Sequence, residues 1–258
     1  MRVLCIGDVV GKPGRRAVAA LLPGLRREHA IDVVIANGEN LAAGRGLTTG
    51  TAKEMFAAGV DALTSGNHIW DQKEIIPHLD TDPRIVRPAN YPEGAPGRGI
   101  MHCHGLTIIN LMGRTFMYEI DDPFRAADRL LEHVSGPVLV DMHAEATSEK
   151  VAMGWYLDGR VSAVVGTHTH VPTADPRILP QGTAYITDLG MVGARDSIIG
   201  VEIEPVIQKF LTGMPARFAV AEKAEVIQFN AVLVEIDERT AKAVSIERVD
   251  REWSRDDL

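Results

Sequence analysis

Eight side chains of the kinds that bind metal ions or transfer protons follow short apolar runs in this sequence. They are one aspartate, one glutamate, two asparagines and four histidines: Asp8, Glu39, Asn40, Asn67, His68, His143, His168 and His170. Oxygen and imidazole donors without thiolates suit manganese, iron or zinc in an open site better than a closed structural zinc site. If seven of the eight bind metal, they are too many for one open catalytic ion, and their number suits two ions. Two ions with a bridging carboxylate could clamp a phosphoryl group and lower the pKa of bound water.

Each of these residues has an ordinary structural interpretation when it is considered alone. Asp8 could cap the turn after its strand, Asn40 could be a turn residue, and His143 could be a hydrogen-bonded core histidine. His168 and His170 are two residues apart, which places them on the same face of an extended segment, where they could serve adjacent ions. Five separate strand ends with such side chains are hard to obtain by chance, so joint metal ligation is favoured.

Short β-branched runs alternate with longer helical patterns along the chain, which indicates an α/β fold. Strands are predicted over residues 2–6, 32–36, 61–64, 84–87, 106–110, 137–140, 161–165 and 184–186, helices over 15–28 and 48–58, and an antiparallel hairpin over 231–236 and 243–249. The carboxyl ends of strands in an open, mainly parallel sheet share one edge, where ligands bind. Side chains scattered from Asp8 to His170 are therefore predicted to meet in one crevice. The segment 102–104, His-Cys-His, could bind a metal, but a packed strand is favoured there.

The composition is that of a globular protein: of 258 residues, 45% are hydrophobic and 24% are charged. The chain contains no Ser/Gly linker or charge block, so one domain over residues 1–258 is predicted. No apolar run approaches the roughly 20 residues of a membrane span, and Asp8 interrupts the N-terminus too early for a signal peptide. With only Cys5 and Cys103, a disulfide scaffold is excluded and a cytoplasmic location is expected.

The net charge of the chain and its predicted hairpin indicate which kinds of molecule the protein could bind. A net charge of −8 argues against strong binding to duplex nucleic acid, because that affinity comes mainly from neutralising phosphates. A small phosphorylated substrate remains compatible with this charge, since a local cationic pocket could oppose it. The edge of the predicted hairpin, near residues 230–249, could support a homo-oligomer.

Six segments, taken in chain order with Asp8, resemble the motifs of the calcineurin-like metallophosphoesterase superfamily and, within it, the YmdB-like family of 2′,3′-cyclic-nucleotide 2′-phosphodiesterases. They are residues 36–40, 65–71, 87–92, 141–150, 166–172 and 187–191. This resemblance implies a layered α-β-β-α sandwich with mixed sheets and a metal site at the carboxyl ends of strands. It also implies two divalent or trivalent metal ions, with iron or manganese ahead of zinc.

The sequence departs from the superfamily at position 10, where Val10 stands in place of the histidine of the usual Asp-x-His motif. The second motif is Gly-Glu-Asn instead of Gly-Asp, as in the YmdB-like branch, and we infer that Asn40 supplies the ligand that Val10 cannot. The resemblance then implies two ligand groups: Asp8, Glu39, Asn40 and His170 for one ion, and the bridging Glu39 with Asn67, His143 and His168 for the other. His68 would remain free of metal, near the leaving group, as a proton donor.

The function implied by the resemblance is hydrolysis of phosphodiesters by metal-activated hydroxide, with 2′,3′-cyclic nucleotides opened to 3′-nucleotides and RNA ends as a further substrate class. One alternative is a metal-dependent hydrolase of C–N or C–O bonds, although the His-x-His pair of such enzymes normally follows the first strand. Another is a regulatory protein of the same fold, either without catalysis or alongside it. Thr169, Arg45 and Arg195 are candidates for orienting phosphate, and Trp70 could stack on a base or pack in the core.

Overall fold

The computed structural model describes residues 1–254, within which the chain forms fourteen strands, five α-helices and one 3-10 helix. In chain order they are β1 (Arg2–Val9), α1 (Gly11–Glu28), β2 (Val33–Asn37), α2 (Thr49–Ala58), β3 (Ala62–Thr64), the 3-10 helix (Lys73–His78), β4 (Ile100–Cys103), β5 (Leu106–Met112), α3 (Pro123–Leu131), β6 (Val138–His143), α4 (Thr147–Tyr156), β7 (Ala163–Thr167), β8 (Arg177–Ile178), β9 (Ala184–Ile186), β10 (Met191–Ala194), α5 (Ile203–Thr212), β11 (Val226–Phe229), β12 (Ala231–Asp237), β13 (Lys242–Arg248) and β14 (Arg251–Ser254).

The strands form two mixed sheets. The first has eight strands in the order β13-β12-β1-β10-β11-β14, with β2 paired to β1 and β3 paired to β2. Its strand β1 is parallel to β2 and β10 and antiparallel to β12. The second sheet has six strands in the order β4-β5-β6-β7-β9-β8. Its four central strands, β5, β6, β7 and β9, are all parallel, so their carboxyl ends lie at one edge.

The alternation of side chains along β1 shows how the layers are built. Val3 and Cys5 belong to the core between the two sheets, together with residues of β5, β7, β9 and β12. Leu4 and Ile6 point to the opposite face, where they pack with α1 and α2. A third core joins the far face of the second sheet to α3 and α4. The predicted α-β-β-α sandwich with mixed sheets is therefore confirmed.

Several strands extend further than predicted. β1 continues to Val9 and β6 to His143, so each of these strands includes a predicted ligand near its carboxyl end. The strand favoured for segment 102–104 is confirmed at His102 and Cys103, which lie in β4 and pair antiparallel with β5. The predicted hairpin is also confirmed, since β12 and β13 are antiparallel neighbours.

The prediction of a strand over residues 84–87 is wrong. This segment forms only isolated bridges, one with β3 and one with Arg98. Pro83 and Pro88 flank it, and neither has an amide hydrogen to extend a ladder. The segment is therefore held by two hydrogen bonds with Leu63 of β3 and one with Arg98, without becoming a strand.

Asp8 reaches the carboxyl edge because β1 changes neighbours at Gly7. The Gly7 amide donates to Asn230 O at 3.1 Å, and the Asp8 amide donates to Gly190 O at 3.0 Å. A Cβ at Gly7 would lie 2.1 Å from Gly190 O, so only glycine allows this approach. The close contact brings β10 beside the end of β1 and fixes the backbone of Asp8.

Two predictions concern the chain as a whole. Among residues 1–254, no helix combines the length and the apolar character that a membrane crossing requires. The single domain over residues 1–258 stays a prediction, and its last four residues lie outside the described part of the chain.

Candidate metal centre

Both sheets deliver predicted site residues to the same edge of the molecule. The first sheet contributes Asp8 from β1, Glu39 and Asn40 just after β2, and Asn67 and His68 just after β3. The second sheet contributes His143, the last residue of β6, and His168 and His170, which follow β7. The predicted meeting of residues 8 and 170 can be checked directly, since Asp8 Oδ1 lies 3.7 Å from His170 Nε2.

One group of donor atoms surrounds Nε2 of the fully buried His143. This nitrogen lies 3.0 Å from Glu39 Oε1, 3.1 Å from Asn67 Oδ1 and 3.1 Å from His168 Nδ1. Donor atoms that sit about 2.0–2.2 Å from one ion must lie within about 4 Å of one another. Ligand atoms of Glu39, His143 and His168 all lie within 4.8 Å of one another. With Asn67 beside His143, the structure brings together the four residues that the resemblance assigns to one ion.

Buried oxygen atoms without partners mark a second group. Among residues 1–254, neither Asp8 Oδ1 nor Asn40 Oδ1 has a hydrogen-bond partner, although Asn40 Nδ2 donates to Gly44 O at 3.0 Å. Burial raises the pKa of Asp8 to about 6, even though His170 and His143 lower it. Unpartnered buried acceptors are costly, and a cation is a partner that carboxylate and amide oxygens can bind.

The environment of Val10 bears on the role of Asn40 in the second group. Its side chain is buried and packs with Met191 and Val220 in a small apolar cluster. It can donate nothing to an ion, whereas the oxygen of Asn40 is both buried and unused within the described residues. This arrangement supports the inference that an asparagine compensates for the missing histidine.

Each predicted ligand histidine has one ring nitrogen tied to the protein and the other turned toward the site. The tied nitrogens are His143 Nδ1 with Thr167 Oγ1 at 2.9 Å, His168 Nε2 with Glu145 Oε2 at 3.0 Å, and His170 Nδ1 with Ile199 O at 2.9 Å. A carbonyl oxygen can only accept, so Nδ1 of His170 carries a proton. With the proton on Nδ1, a neutral ring presents its lone pair on Nε2, which is the orientation that metal ligation requires.

The pair formed by Glu39 and His143 controls the charge of the metal-free site. Burial alone would raise the pKa of Glu39 and lower that of His143. Their contact at 3.0 Å overcomes burial, so the pKa of Glu39 falls to about 2 and the pKa of His143 rises to about 8. A proton on His143 thus takes the place of a cation when none is bound, and metal binding must displace it.

His68 has a different environment from the other histidines. Its backbone amide donates to Glu39 Oε2 at 3.0 Å, while its Nδ1 lies 2.9 Å from Asp71 Oδ2. The ring is 17% exposed and is held by Asp71, outside the donors that surround His143. Trp70 packs edge-on against Tyr91, with ring centroids 5.3 Å apart, and both belong to the margin of the core.

The positions of three other candidates limit what they can do. Arg195 is paired with Glu252 at 3.1 Å and with Asp196 at 3.2 Å. Thr169 donates its hydroxyl to Asp188 at 2.8 Å. Arg45 is exposed and lies 3.7 Å from Asp71, which places it beside His68. Arg45 is therefore the candidate for orienting phosphate that is both exposed and beside His68.

The residues that orient the site were missed from the sequence. Thr167, Glu145 and Asp71 hold ring nitrogens of three histidines, yet they belong to residue types that are common on any surface. Glu145 and Asp71 lie within the motifs that carry the resemblance, so their position was the available signal. Thr167 lies within such a motif as well, in residues 166–172, and the pairing of β6 with β7 places it directly beside His143.

Comparisons with known proteins agree with this geometry. The family model described as YmdB-like protein matches residues 4–249. A protein of Bacillus subtilis named 2′,3′-cyclic-nucleotide 2′-phosphodiesterase is 52% identical over 256 residues, which cover 96% of each chain. A crystal structure of a hypothetical protein from Thermus thermophilus is 49% identical, with a TM-score of 0.92 and coverage of 98% of this chain and 99% of that chain.

A second solved structure, described as a novel phosphatase from Mycoplasma pneumoniae, is 34% identical with a TM-score of 0.93. It covers 98% of this chain and 94% of its own. The names of the Bacillus subtilis and Mycoplasma pneumoniae proteins describe hydrolases of phosphoric esters, which confirms the predicted enzyme class. The match of the family model over nearly the whole chain shows that the protein belongs to the YmdB-like family.

Proposed function

We propose that this protein is a binuclear-metal phosphodiesterase that opens 2′,3′-cyclic nucleotides at the 2′ ester and releases 3′-nucleotides. The observation that carries the proposal is the pair of donor groups at the carboxyl edge. Three donor atoms surround His143 Nε2 at 3.0–3.1 Å, and the buried oxygens of Asp8 and Asn40 have no partner among the described residues. The 52% identical Bacillus subtilis protein supports the substrate class.

The donor chemistry fits two ions. In the proposal, one ion is held by Asp8, Glu39, Asn40 and His170, and the other by Glu39, Asn67, His143 and His168. Carboxylate, amide and imidazole donors suit iron or manganese, and they also accept zinc. When bound, two such ions neutralise charge on the phosphoryl oxygens and lower the pKa of water enough to supply hydroxide near neutral pH.

His68 supplies the proton that the leaving oxygen needs. Asp71 accepts from Nδ1 of His68 at 2.9 Å, which orients the ring and leaves Nε2 to face the leaving oxygen. As a P–O bond forms to the incoming oxygen, the bond from phosphorus to O2′ breaks and O2′ takes the proton from Nε2. The phosphate stays on the 3′ oxygen, so the product is a 3′-nucleotide.

Related substrates and the cellular setting extend the proposal. Linear phosphodiesters and RNA ends with a cyclic phosphate present the same reacting group to the site. A regulatory role alongside catalysis, a homo-oligomeric state and a cytoplasmic location stay predictions from the sequence.

The test is the regiochemistry of hydrolysis by protein reconstituted with Mn²⁺. With 2′,3′-cyclic AMP, we expect 3′-AMP and no 2′-AMP when products are separated against standards of both. His68→Ala should lower turnover by about 10²–10⁴-fold while both ions stay bound. His78→Ala, which changes an exposed histidine of the 3-10 helix, should leave turnover unchanged.

Three outcomes would contradict the proposal. Formation of 2′-AMP would show that the wrong ester is assigned. Loss of metal from His68→Ala, measured by elemental analysis, would show that His68 is a ligand. Failure to hydrolyse any cyclic nucleotide or bis-p-nitrophenyl phosphate with two ions bound would exclude the activity itself.

A further inference from the structure

The turn that carries His168 and His170 has an unusual backbone. His168 has φ +98° and His170 has φ +64°, both in the left-handed region that residues with a Cβ seldom adopt. Such conformations persist only where the surrounding structure imposes them. Something in the protein must therefore hold this turn.

The residue between the two histidines is bound to a buried carboxylate. Both the amide and the hydroxyl of Thr169 donate to Asp188 Oδ2, at 3.2 Å and 2.8 Å. The same oxygen accepts from Lys150 Nζ at 2.6 Å, and Oδ1 accepts from the Gly190 amide at 2.8 Å. Asp188 thus receives four hydrogen bonds, and one carboxylate fixes the centre of the turn.

Asp188 also connects the turn to Asp8. It lies between β9 of the second sheet and β10 of the first, where the chain passes from one sheet to the other. The carbonyl of Gly190, whose amide binds Asp188, accepts from the Asp8 amide at 3.0 Å. Asp8 Oδ2 in turn accepts from the His168 amide at 3.1 Å. Ligands from both sheets therefore meet around Asp188.

Lys150 is an unexpected partner in this position. The lysine extends from α4 into the core, and both it and Asp188 are only 1% exposed. A Cβ at residue 166 would lie 2.9 Å from Lys150 Cδ, so Gly166 leaves room for the lysine to pass. A buried ion pair adds little net stability compared with apolar residues, and this lysine is too buried to touch a substrate. Neither stability nor substrate contact accounts for it.

We propose that the Lys150–Asp188 pair is a positioning device that holds the His168-Thr169-His170 turn ready for metal before any ion binds. This inference rests on the metal centre of the proposed function. The lysine fixes the carboxylate, the carboxylate fixes Thr169, and the two neighbouring histidines are held in their strained conformation. Binding an ion then requires no rearrangement of the turn.

Variants of Thr169 provide the sharpest test, because they leave no buried charge unpaired. Thr169→Val keeps the volume and removes the hydroxyl, while Thr169→Ser keeps the hydroxyl. We expect the affinity of the apoprotein for Mn²⁺, measured by calorimetry, to fall by about 10-fold in Thr169→Val and to recover in Thr169→Ser. Asp188→Asn should lower this affinity by about 100-fold, because it removes an acceptor shared by Thr169 and Lys150.

Asp158→Asn is the matched control. Asp158 is also a buried aspartate that binds backbone amides, at 3.0 Å from Gln181 N, but it lies near the start of β9, away from the metal edge. Its loss should lower the melting temperature and leave the affinity for Mn²⁺ within about twofold. If Asp188→Asn does not fold, the two Thr169 variants decide.

The outcomes separate this inference from the proposed function. Wild-type protein that binds no Mn²⁺ would refute the metal centre. Wild-type protein that binds two ions, with Thr169→Val binding them equally well, would refute only the positioning role. A rise in KM for cyclic nucleotide in Thr169→Val with unchanged affinity for Mn²⁺ would also overturn it, because Thr169 would then contact substrate.

Discussion

The two ends of the strands differ in how their buried and half-buried side-chain oxygens are satisfied. At the amino ends, Asp158 accepts from Gln181 N at 3.0 Å, and Asp61 accepts from Val34 N at 2.8 Å and from Arg26. These carboxylates tie loops and neighbouring strands together. Their hydrogen bonds are of the kind that stabilises any α/β protein.

At the carboxyl ends, by contrast, buried side-chain oxygens lack hydrogen-bond partners within the described part of the chain, and some residues have strained backbone conformations. Asp8 Oδ1 and Asn40 Oδ1 have no partner among residues 1–254, and two histidines have positive φ. Burial raises the pKa of Asp8 to about 6, so ionising this carboxyl costs more free energy inside the protein than in water. Unfavourable burial and strained backbone conformations of this kind are expected at functional sites. Among the described residues, an unpartnered buried nitrogen also occurs at the amino ends, at Arg26 Nε, so what sets the carboxyl edge apart is its unpartnered carboxylate and amide oxygens, which are the donors that a cation binds.

Substitution of the proposed metal ligands should have the largest effect, on both the number of bound ions and turnover. Asp8→Ala should lower the bound metal from two ions to one, and Glu39→Ala should abolish binding of both, since Glu39 is the proposed bridge. Loss of an ion removes several kcal/mol of transition-state stabilisation, so turnover should fall by about 10³-fold or more. Elemental analysis and cyclic-nucleotide hydrolysis measure the two effects.

Asp158→Ala provides the matched change at the amino ends, and it should keep two ions and full turnover per folded molecule. Unchanged stoichiometry in both Asp8→Ala and Glu39→Ala would remove the two-ion model. Equal loss of metal in all three variants would show that the two edges do not differ in function.

Metal affinity should depend on pH at the carboxyl edge. His143, with a pKa raised to about 8, and Asp8, with a pKa raised to about 6, must both lose their protons to bind an ion. Affinity for Mn²⁺ should therefore rise with pH, by up to about 10-fold per pH unit between 6 and 8, and level off above 8. Glu39, with a pKa of about 2, stays ionised over this pH range and adds nothing to the pH dependence of the affinity.

Calorimetry at pH 6.5, 7.5 and 8.5 measures this dependence. Titrations in buffers of different ionisation enthalpy also count the protons released, and about one proton per protein should leave near pH 7. Constant affinity across this range, with no proton release, would show that His143 is not displaced from its charged form by metal.

The fold was largely predictable where periodicity and burial coincide. The apolar runs of β1 and β2 are buried on both faces, and the sequence shows this as nearly continuous hydrophobic residues. β14 was not predicted, because Arg251–Ser254 is an edge strand of mixed polarity whose pairing with β11 depends on distant residues. Segment 84–87 has strand composition, but its flanking prolines prevent a ladder.

The donor residues of the site were predictable from the sequence, whereas the residues that hold the donors in position were not. Few residue types bind metal, so His143 and His168 stand out wherever they follow a strand. Thr167 orients His143 only because β6 and β7 are in register at these two residues. Asp188 reaches Thr169 only because the chain crosses between sheets beside it. Contacts of this kind depend on the assembled fold and leave no local pattern in the sequence.

The smallest effect concerns stability, and it should have opposite signs at the two edges. Asp158→Asn should lower the free energy of unfolding of the apoprotein by about 1–3 kcal/mol, because an amide group replaces an acceptor of backbone N–H groups. Asp8→Asn should raise it at pH 7 by about 1–2 kcal/mol, because a buried charge disappears while His168 N keeps an acceptor. Since the pKa of Asp8 is raised, this gain should shrink as the pH falls through 6 and the wild-type carboxyl takes up its proton.

Urea unfolding at pH 7 and pH 5 measures both variants against the wild type. Equal losses in the two variants would mean that protein contacts hold the Asp8 carboxylate as firmly as they hold Asp158, and that the carboxyl edge is not set apart for a cation.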